Sequence, residues 1–379
     1  MRILVDASAA FEQGAGIGRY SRSLLSRLIP LMPGDAWTLF RTRDGRCSSY
    51  VSADQFPAAH ARTVTAPFSR RRADQVWHRL RAPLDVRLLT GKADLVYSPD
   101  FTAPPAFGVP RIVTVHDLAF LTHPEHTTPA LRRYLGMVVP REVKRATHLI
   151  AVSEATRSDL ISMLNVAPWS VTVVRNAVDR RFFDAGPLSQ EQRARLQLPA
   201  AYLLMLGTIE PRKNHDTVFR VIQQLDRSLE IPLVIAGRPG WGCDDTMRTA
   251  RQLQVRGKVI LLNYVAEDDL PSLIASASIL LYPSWTEGFG LPVIEALAAG
   301  TPVIAGNAPA LREAGGDVAT FVDPGSDEQL LDAIRRELQH PSHMTQREDR
   351  KQWARRFDWS DSALSLMNVL QRMERHRHG

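Results

Sequence analysis

The stretch Ile279–Ile304, ILLYPSWTEGFGLPVIEALAAGTPVI, leaves few folds open to this chain. Ile279–Tyr282 is a short continuous apolar run, as expected of a strand buried on both faces of a parallel sheet. Gly288 and Gly290 let the backbone turn tightly and approach a ligand with no Cβ in the way. Pro292 suits the first helical turn, where its missing N–H is not needed; Gly300 stops the helix and Pro302 prevents its return. The run therefore reads as strand, glycine loop, helix, strand, the repeating unit of a parallel α/β fold. Glu287 falls in the loop and Glu295 about one turn into the helix. Unpaired N–H groups at that helix start favour an anion, and carboxylates beside them suit hydroxyl groups. Diphosphate plus polyol describes a nucleotide sugar.

The same alternation runs through the whole chain. Strand candidates in the first half are Ile3–Asp6, Trp37–Phe40, Leu95–Ser98, Arg111–His116, Leu149–Val152 and Val171–Val174. In the second half they are Tyr202–Leu206, Leu233–Ala236, Val259–Leu262, Ile279–Tyr282, Thr301–Ala305 and the weaker Thr320–Val322. Two sets of this size predict two doubly wound α/β domains, matching a length of 379 residues, too long for one ordinary core. The polar, turn-rich stretch 176–199 reads as the linker, giving domains at 1–184 and 185–357. An amphipathic pattern over 358–372 (Trp359, Ala363, Leu366, Met367, Leu370) predicts a closing helix within a third segment, 358–379. Such sheets bind ligands outside the carboxyl ends of their strands, so two facing domains would enclose a cleft.

Charge is unevenly placed. Residues 1–185 hold 25 Lys+Arg against 16 Asp+Glu, and the rest 22 against 24, so the net +7 comes from the first half. A basic half suggests a polyanionic partner; no nucleic-acid-binding motif is present, which leaves lipid phosphates or a solvated surface. The stretch 69–81 gathers five arginines around Val76, Trp77 and Leu80, and is expected to meet an anionic membrane surface, with Trp77 and Leu80 entering the interface. An ordinary helix packed on the sheet would share this pattern. The absence of a leader pattern, of an 18-residue apolar stretch and of any close cysteine pair (Cys47 and Cys243 alone) points to a cytoplasmic chain, peripheral at most at the inner face of the membrane. No Asp-x-Asp occurs, and the 11 histidines show no ligand spacing, so neither metal nor other cofactor is expected.

Three further runs carry chemistry. Gly14–Tyr20 (GAGIGRY) follows the first strand candidate and opens a helix; it fails the dinucleotide pattern, yet Gly16 and Gly18 stand where backbone amides can meet phosphate. His116-Asp117 ends a strong strand at a sheet's carboxyl edge, where the histidine is either a ligand contact or a satisfied structural group. Gly207–Asn214 (GTIEPRKN) follows the first strand of the second half, and Arg212 with Lys213 can neutralise two phosphates, one by a fork and one as a point charge.

Glu287 and Glu295 bracketing Gly-Phe-Gly-Leu-Pro, with TVHDL at 114–118 and Lys213 after its strand, resemble the signature of the family 4 retaining glycosyltransferases of the GT-B fold. The resemblance extends from residue 1 to about 365 and is strongest from 200 to 325. It implies two Rossmann-like domains facing across a cleft, an N-terminal acceptor domain and a C-terminal donor domain, with the last helix crossing back to the first. It also implies that His116 and Glu287 contact the donor sugar, that Arg212 and Lys213 hold the diphosphate, and that Glu295 holds the ribose. By the same resemblance, Phe289, Gly290 and Leu291 belong to the donor loop, Gly16 and Gly18 close on the donor phosphate, Arg238 borders the base, and Asp117 orients the imidazole or meets the acceptor. Catalysis is expected of His116, Glu287 and Lys213. Many relatives carry Arg directly after the glycine where this chain has Thr208, so Arg212 is expected to substitute. The variants GIGRY and TVHDL resemble bacterial mannosyl- and rhamnosyltransferases of polysaccharide and lipopolysaccharide assembly, which favours a GDP-sugar donor and a glycan or polyprenyl-diphosphate-linked acceptor. Alternatives are another GT-B enzyme, such as a nucleotide-sugar epimerase, or a non-catalytic protein binding anionic glycan or lipid.

Overall fold

The computed structural model describes residues 1–378 apart from 15, 44–55, 57–60, 81, 227, 228, 230 and 341–343; Cys47 and Arg81 thus lie outside the described residues. Two compact units emerge. One comprises Met1–Leu118, Arg133–Asn176 and Trp359–Gly379, the other Ala119–Arg132 and Ala177–Asp358.

In the first unit seven parallel strands form one sheet. They are β1 (Arg2–Asp6), β2 (Ala36–Arg41), β3 (Ala61–Thr65), β4 (Leu95–Ser98), β5 (Arg111–Val115), β6 (His148–Ala151) and β7 (Val171–Val173). They lie in the order β3-β2-β1-β4-β5-β6-β7. The strand β3 was not expected: as an edge strand, ARTVT pairs only with β2 and keeps Arg62, Thr63 and Thr65 exposed, so it lacks an apolar run. Helix Gly16–Leu31 packs on Ser8–Glu12 and on the closing helix Trp359–His378, which joins this unit as the sequence predicts.

The second unit holds six parallel strands: β8 (Leu203–Leu206), β9 (Leu233–Ala236), β10 (Val259–Leu261), β11 (Ile279–Tyr282), β12 (Val303–Gly306) and β13 (Thr320–Val322). Their order is β10-β9-β8-β11-β12-β13. The strand β12 starts after Pro302 rather than at Thr301, because proline has no N–H to give to the ladder. In each sheet the winding reverses once, between β1 and β4 and between β8 and β11. A ligand crevice belongs at the carboxyl ends of the strands flanking such a reversal. The four side chains of β8 and β11 that enter the core cluster beneath it (Leu203, Met205, Ile279 and Leu281), and Ile235 of β9 beside them, are at most 2% exposed, so the floor is close-packed.

Two boundaries differ from expectation. The first unit ends after Asn176 rather than Asp184, because helix Arg180–Phe183 packs on helices Leu270–Ala275 and Leu291–Ala299 of the second. The stretch expected as linker is also partly helical, with Ser189 and Gln192 forming a reciprocal cap on helix Gln190–Arg195. Ala119–Arg132 groups with the second unit although the residues flanking it belong to the first.

Candidate functional site

In the second unit, the loops after β8 and β11 bring the expected donor residues together. Pro211 starts a single tight turn, Pro211–Lys213, and Asn214 closes it in the left-handed region. Asn214 is held there by its side-chain amide, which donates to the carbonyls of Pro283 and Pro324. The backbone also ties the two loops, since Trp285 N donates to Arg212 O at 2.9 Å. Between them lies an ion cluster. Glu287 accepts from Arg212 Nη1 on Oε2 at 2.7 Å and from Lys213 Nζ on Oε1 at 2.5 Å. Arg212 Nε donates to Glu210, and Lys213 Nζ to the hydroxyl of Tyr282, whose ring lies 4.4 Å from the ammonium. The side chains of Lys213 and Glu287 are each only 8% exposed. Burial opposes ionisation of Glu287, but Arg212 and Lys213 outweigh it and hold its carboxyl down at about 2. Burial likewise pushes Lys213 below its usual value, against the pull of Glu287.

The loop then enters helix Leu291–Ala299 through Gly290, whose φ of +112° excludes a side chain without strain. Glu295 stands in the second turn and is 1% exposed. Leu291 is half-buried at the helix start. Phe289 is 2% exposed, and its ring meets Phe357 edge-on at 5.5 Å. Its side chain anchors the loop in the core, which leaves only its backbone to serve a ligand. Arg238 follows β9 and lies over the ring of Tyr264, 4.9 Å from its centre, forming a flat cationic ledge.

The first unit carries the remaining candidates at its own carboxyl edge. His116 directly follows β5 and is 8% exposed. Its Nε2 lies 2.8 Å from the carbonyl of Pro99, which can only accept, so Nε2 bears the proton and Nδ1 the lone pair in the neutral ring. Burial lowers its basicity, with Asp100 pulling the other way. Tyr20 and Phe101 meet the imidazole edge-on at 5.0 and 5.6 Å and fix its plane. Asp117 follows, half-buried. Gly16 opens helix Gly16–Leu31. Gly18 is glycine for a packing reason: a Cβ there would stand 1.8 Å from the carbonyl oxygen of Gln13 and 2.9 Å from that of Ala9.

The arginine-rich stretch is rearranged relative to expectation. Residues Asp74–Arg79 form a π-helix, and Trp77 is 7% exposed, packed against Phe40 and Phe68. It is core, so it does not enter a lipid interface. Arg70 turns inward to Asp100, at 2.5 Å, beside the end of β4. Near this stretch the unit exposes Leu80, Leu84, Leu88, Leu89 and Phe107; elsewhere on the same unit Leu31, Met163, Trp169 and Leu364 are also exposed. Asp85 and Arg87 clasp the Phe107 loop by its backbone, accepting from Phe107 N and donating to Phe107 O. Among the described residues no helix is long and apolar enough to cross a membrane, and no three His, Cys, Asp or Glu side chains form a metal-sized group.

Sequence reasoning missed Tyr282 and Glu210 as partners of Lys213 and Arg212, and it missed His126, whose ring stacks on Trp285 at 5.4 Å. None of these pairings has a local signature, except Glu210 lying two residues before Arg212.

Both halves of the chain match known family models. The model described as Glycosyltransferase Family 4 covers residues 16–182, and that of Glycosyl transferases group 1 covers 189–357. The chain belongs to the family 4 glycosyltransferases. The O-antigen chain mannosyltransferase B of Escherichia coli is 28% identical over 93% of this chain and 95% of its own length. The O-antigen chain mannosyltransferase RfbU of Salmonella typhimurium is 26% identical over 89% and 92%. Among solved structures, sucrose-phosphate synthase from Thermosynechococcus elongatus superposes with a TM-score of 0.75 over 99% of this chain and 100% of its own, at 19% identity. The two parallel-sheet domains of this glycosyltransferase are thus those of the GT-B fold.

Proposed function

We propose that this glycosyltransferase moves a mannosyl or rhamnosyl unit from a GDP-sugar to a hydroxyl of a glycan or polyprenyl-diphosphate-linked acceptor, with retention, in O-antigen or related polysaccharide assembly. The observation that carries the donor half is the cluster of Arg212, Lys213 and Glu287 at the strand reversal of the second sheet. The mannosyl lean rests on the O-antigen mannosyltransferases that align along nearly the whole chain. Arg212, Lys213 and the N-terminus of helix Leu291–Ala299 meet the charge of the leaving diphosphate. The bond from the anomeric carbon to the phosphate oxygen breaks as the bond to the acceptor oxygen forms, and the acceptor proton passes to the departing phosphate. His116, neutral near pH 7, offers Nδ1 to a hydroxyl of the donor sugar. Glu295 takes the ribose, Arg238 borders the base, Gly16 and Gly18 belong to the loop closing on phosphate, and Asp117 faces the acceptor.

No metal takes part in this scheme. An anionic membrane surface is a further partner, reached through the exposed Leu80, Leu84, Leu88 and Phe107 and the exposed Arg71, Arg72 and Arg79 of the same unit rather than through Trp77. The deciding experiment measures release of nucleoside diphosphate from GDP-mannose with and without a lipid-linked glycan acceptor. Release that needs the acceptor supports transfer; acceptor-independent turnover to an isomeric sugar nucleotide indicates an epimerase, and binding without turnover indicates a non-catalytic protein. Thermal stabilisation across UDP-, GDP-, ADP- and dTDP-sugars identifies the base.

A further inference from the structure

In the structure, the two cations assigned to the donor diphosphate are engaged by the carboxylate assigned to the donor sugar. Glu287 gives one oxygen to each, Oε2 to Arg212 at 2.7 Å and Oε1 to Lys213 at 2.5 Å. A phosphate group presents the same fork of two anionic oxygens to a guanidinium and an ammonium. With Glu210 on Arg212 Nε, the two cations face two carboxylates, so this cluster presents no net positive charge to an arriving diphosphate. We infer that Glu287 stands in for a phosphate group in the free protein and is exchanged on donor binding: phosphate oxygens take over Arg212 Nη1 and Lys213 Nζ, and the released carboxylate turns to the hydroxyls of the transferred sugar. This rests on the donor-site reading above and assigns an order to it.

Several features keep the exchange local. Tyr282, at the end of β11 and 3% exposed, retains Lys213 through its hydroxyl and its ring face, so the ammonium stays in place when the carboxylate leaves. Glu210 retains the Nε side of Arg212 in the same way. The loop backbone is pinned on one side by Trp285 N on Arg212 O and on the other by Phe289 against Phe357. Rotation of the Glu287 side chain, which also gives up its hydrogen bond with the Tyr282 hydroxyl, then suffices. The exchange makes the sugar-facing carboxylate dependent on the diphosphate: a free hexose meets a glutamate still held by two cations, whereas a nucleoside diphosphate displaces it. Tyr282 becomes a positioning residue for Lys213.

Calorimetric titration with GDP separates this inference from the donor-site reading. Glu287→Gln removes the internal competitor and is expected to bind GDP on the order of tenfold more tightly than the wild type, while Lys213→Gln binds it on the order of tenfold more weakly. Unchanged or weaker binding by Glu287→Gln, with Lys213→Gln still impaired, overturns the exchange and leaves the donor site standing. Unchanged binding by both variants overturns the donor site and the exchange together. Should the glutamine variant fail to fold, Glu287→Asp carries the same test: its carboxylate is one methylene too short to bridge both cations, and binding is expected to tighten by roughly threefold. No tightening in the aspartate variant overturns the exchange.

Discussion

The charge on Glu287 should be visible in the acid stability of the protein. In the folded chain its carboxyl is held at about 2 against an ordinary value of 4.5. Between those values the unfolded chain binds a proton at this position and the folded chain does not. Stability therefore falls as pH drops through that window, is fully present above 4.5, and is gone below about 2. A shift from 4.5 to about 2 sets a ceiling of roughly 3 kcal/mol at about 1.36 kcal/mol per unit. For a unit of this size that corresponds to roughly 5–10 °C in Tm. Other carboxylates titrate in the same range, Asp85 among them because Arg87 holds it at about 2, so the informative quantity is the difference between two proteins. Thermal unfolding of the wild type and Glu287→Gln should be followed from near neutrality down to about pH 3. The gap between them, with the wild type more stable, should narrow steadily below the ordinary glutamate value. Parallel curves over the whole range would show that Arg212 and Lys213 do not hold Glu287 ionised, and would refute the electrostatic account of the cluster.

Glu295→Ala should chiefly raise the donor KM, because ribose contacts bind ground and transition states alike, whereas Glu287→Ala should lower kcat without raising KM; steady-state kinetics with identical defects in both would remove this division. Gly18→Ala should lower Tm by several degrees, since the new Cβ would fall 1.8 Å from a backbone carbonyl that cannot step aside without moving a helix, a cost of about 1–3 kcal/mol; an unchanged melting curve would refute the packing. Excess EDTA should leave turnover nearly intact, and loss of activity restored by Mn²⁺ or Mg²⁺ would overturn the metal-free scheme. Leu84→Ser/Leu88→Ser/Phe107→Ser should abolish co-sedimentation with anionic vesicles while Trp77 is left in place; equal sedimentation of variant and wild type would take the membrane role away from these residues.

The strands were legible because a parallel strand covered on both faces must be apolar throughout, as in Leu233–Ala236 and Ile279–Tyr282. The edge strand β3 escapes that requirement and with it the only signal short strands carry. The donor loop could be read for a similar reason: a left-handed Gly290 followed by Pro292 at a helix start is a local constraint written in local residues. What Glu287 does with its charge was not legible, since Arg212 and Lys213 lie more than seventy residues away in the chain. Trp77 was misread because an amphipathic stretch reports that one side is apolar and not whether the sheet or a lipid covers it; Phe40 and Phe68 decide that. The boundary at Asn176 was hidden because helix Arg180–Phe183 is tied to the second unit by packing, not by composition.

The grouping of Ala119–Arg132 with the second unit has a consequence for anyone building chimeras between relatives of this enzyme. The backbone passes from one unit to the other after Leu118, Arg132, Asn176 and Asp358, so no single cut separates them. A second unit taken as Ala177–Asp358 alone would lose His126 and its stack on Trp285, two residues from Glu287. Transplants joined only at Asn176 and Asp358 would pair the Trp285 loop of one parent with the stacking segment of the other. Swaps that move Ala119–Arg132 together with Ala177–Asp358 keep that stack native, and they are the ones in which a change of sugar preference can be ascribed to the second unit itself.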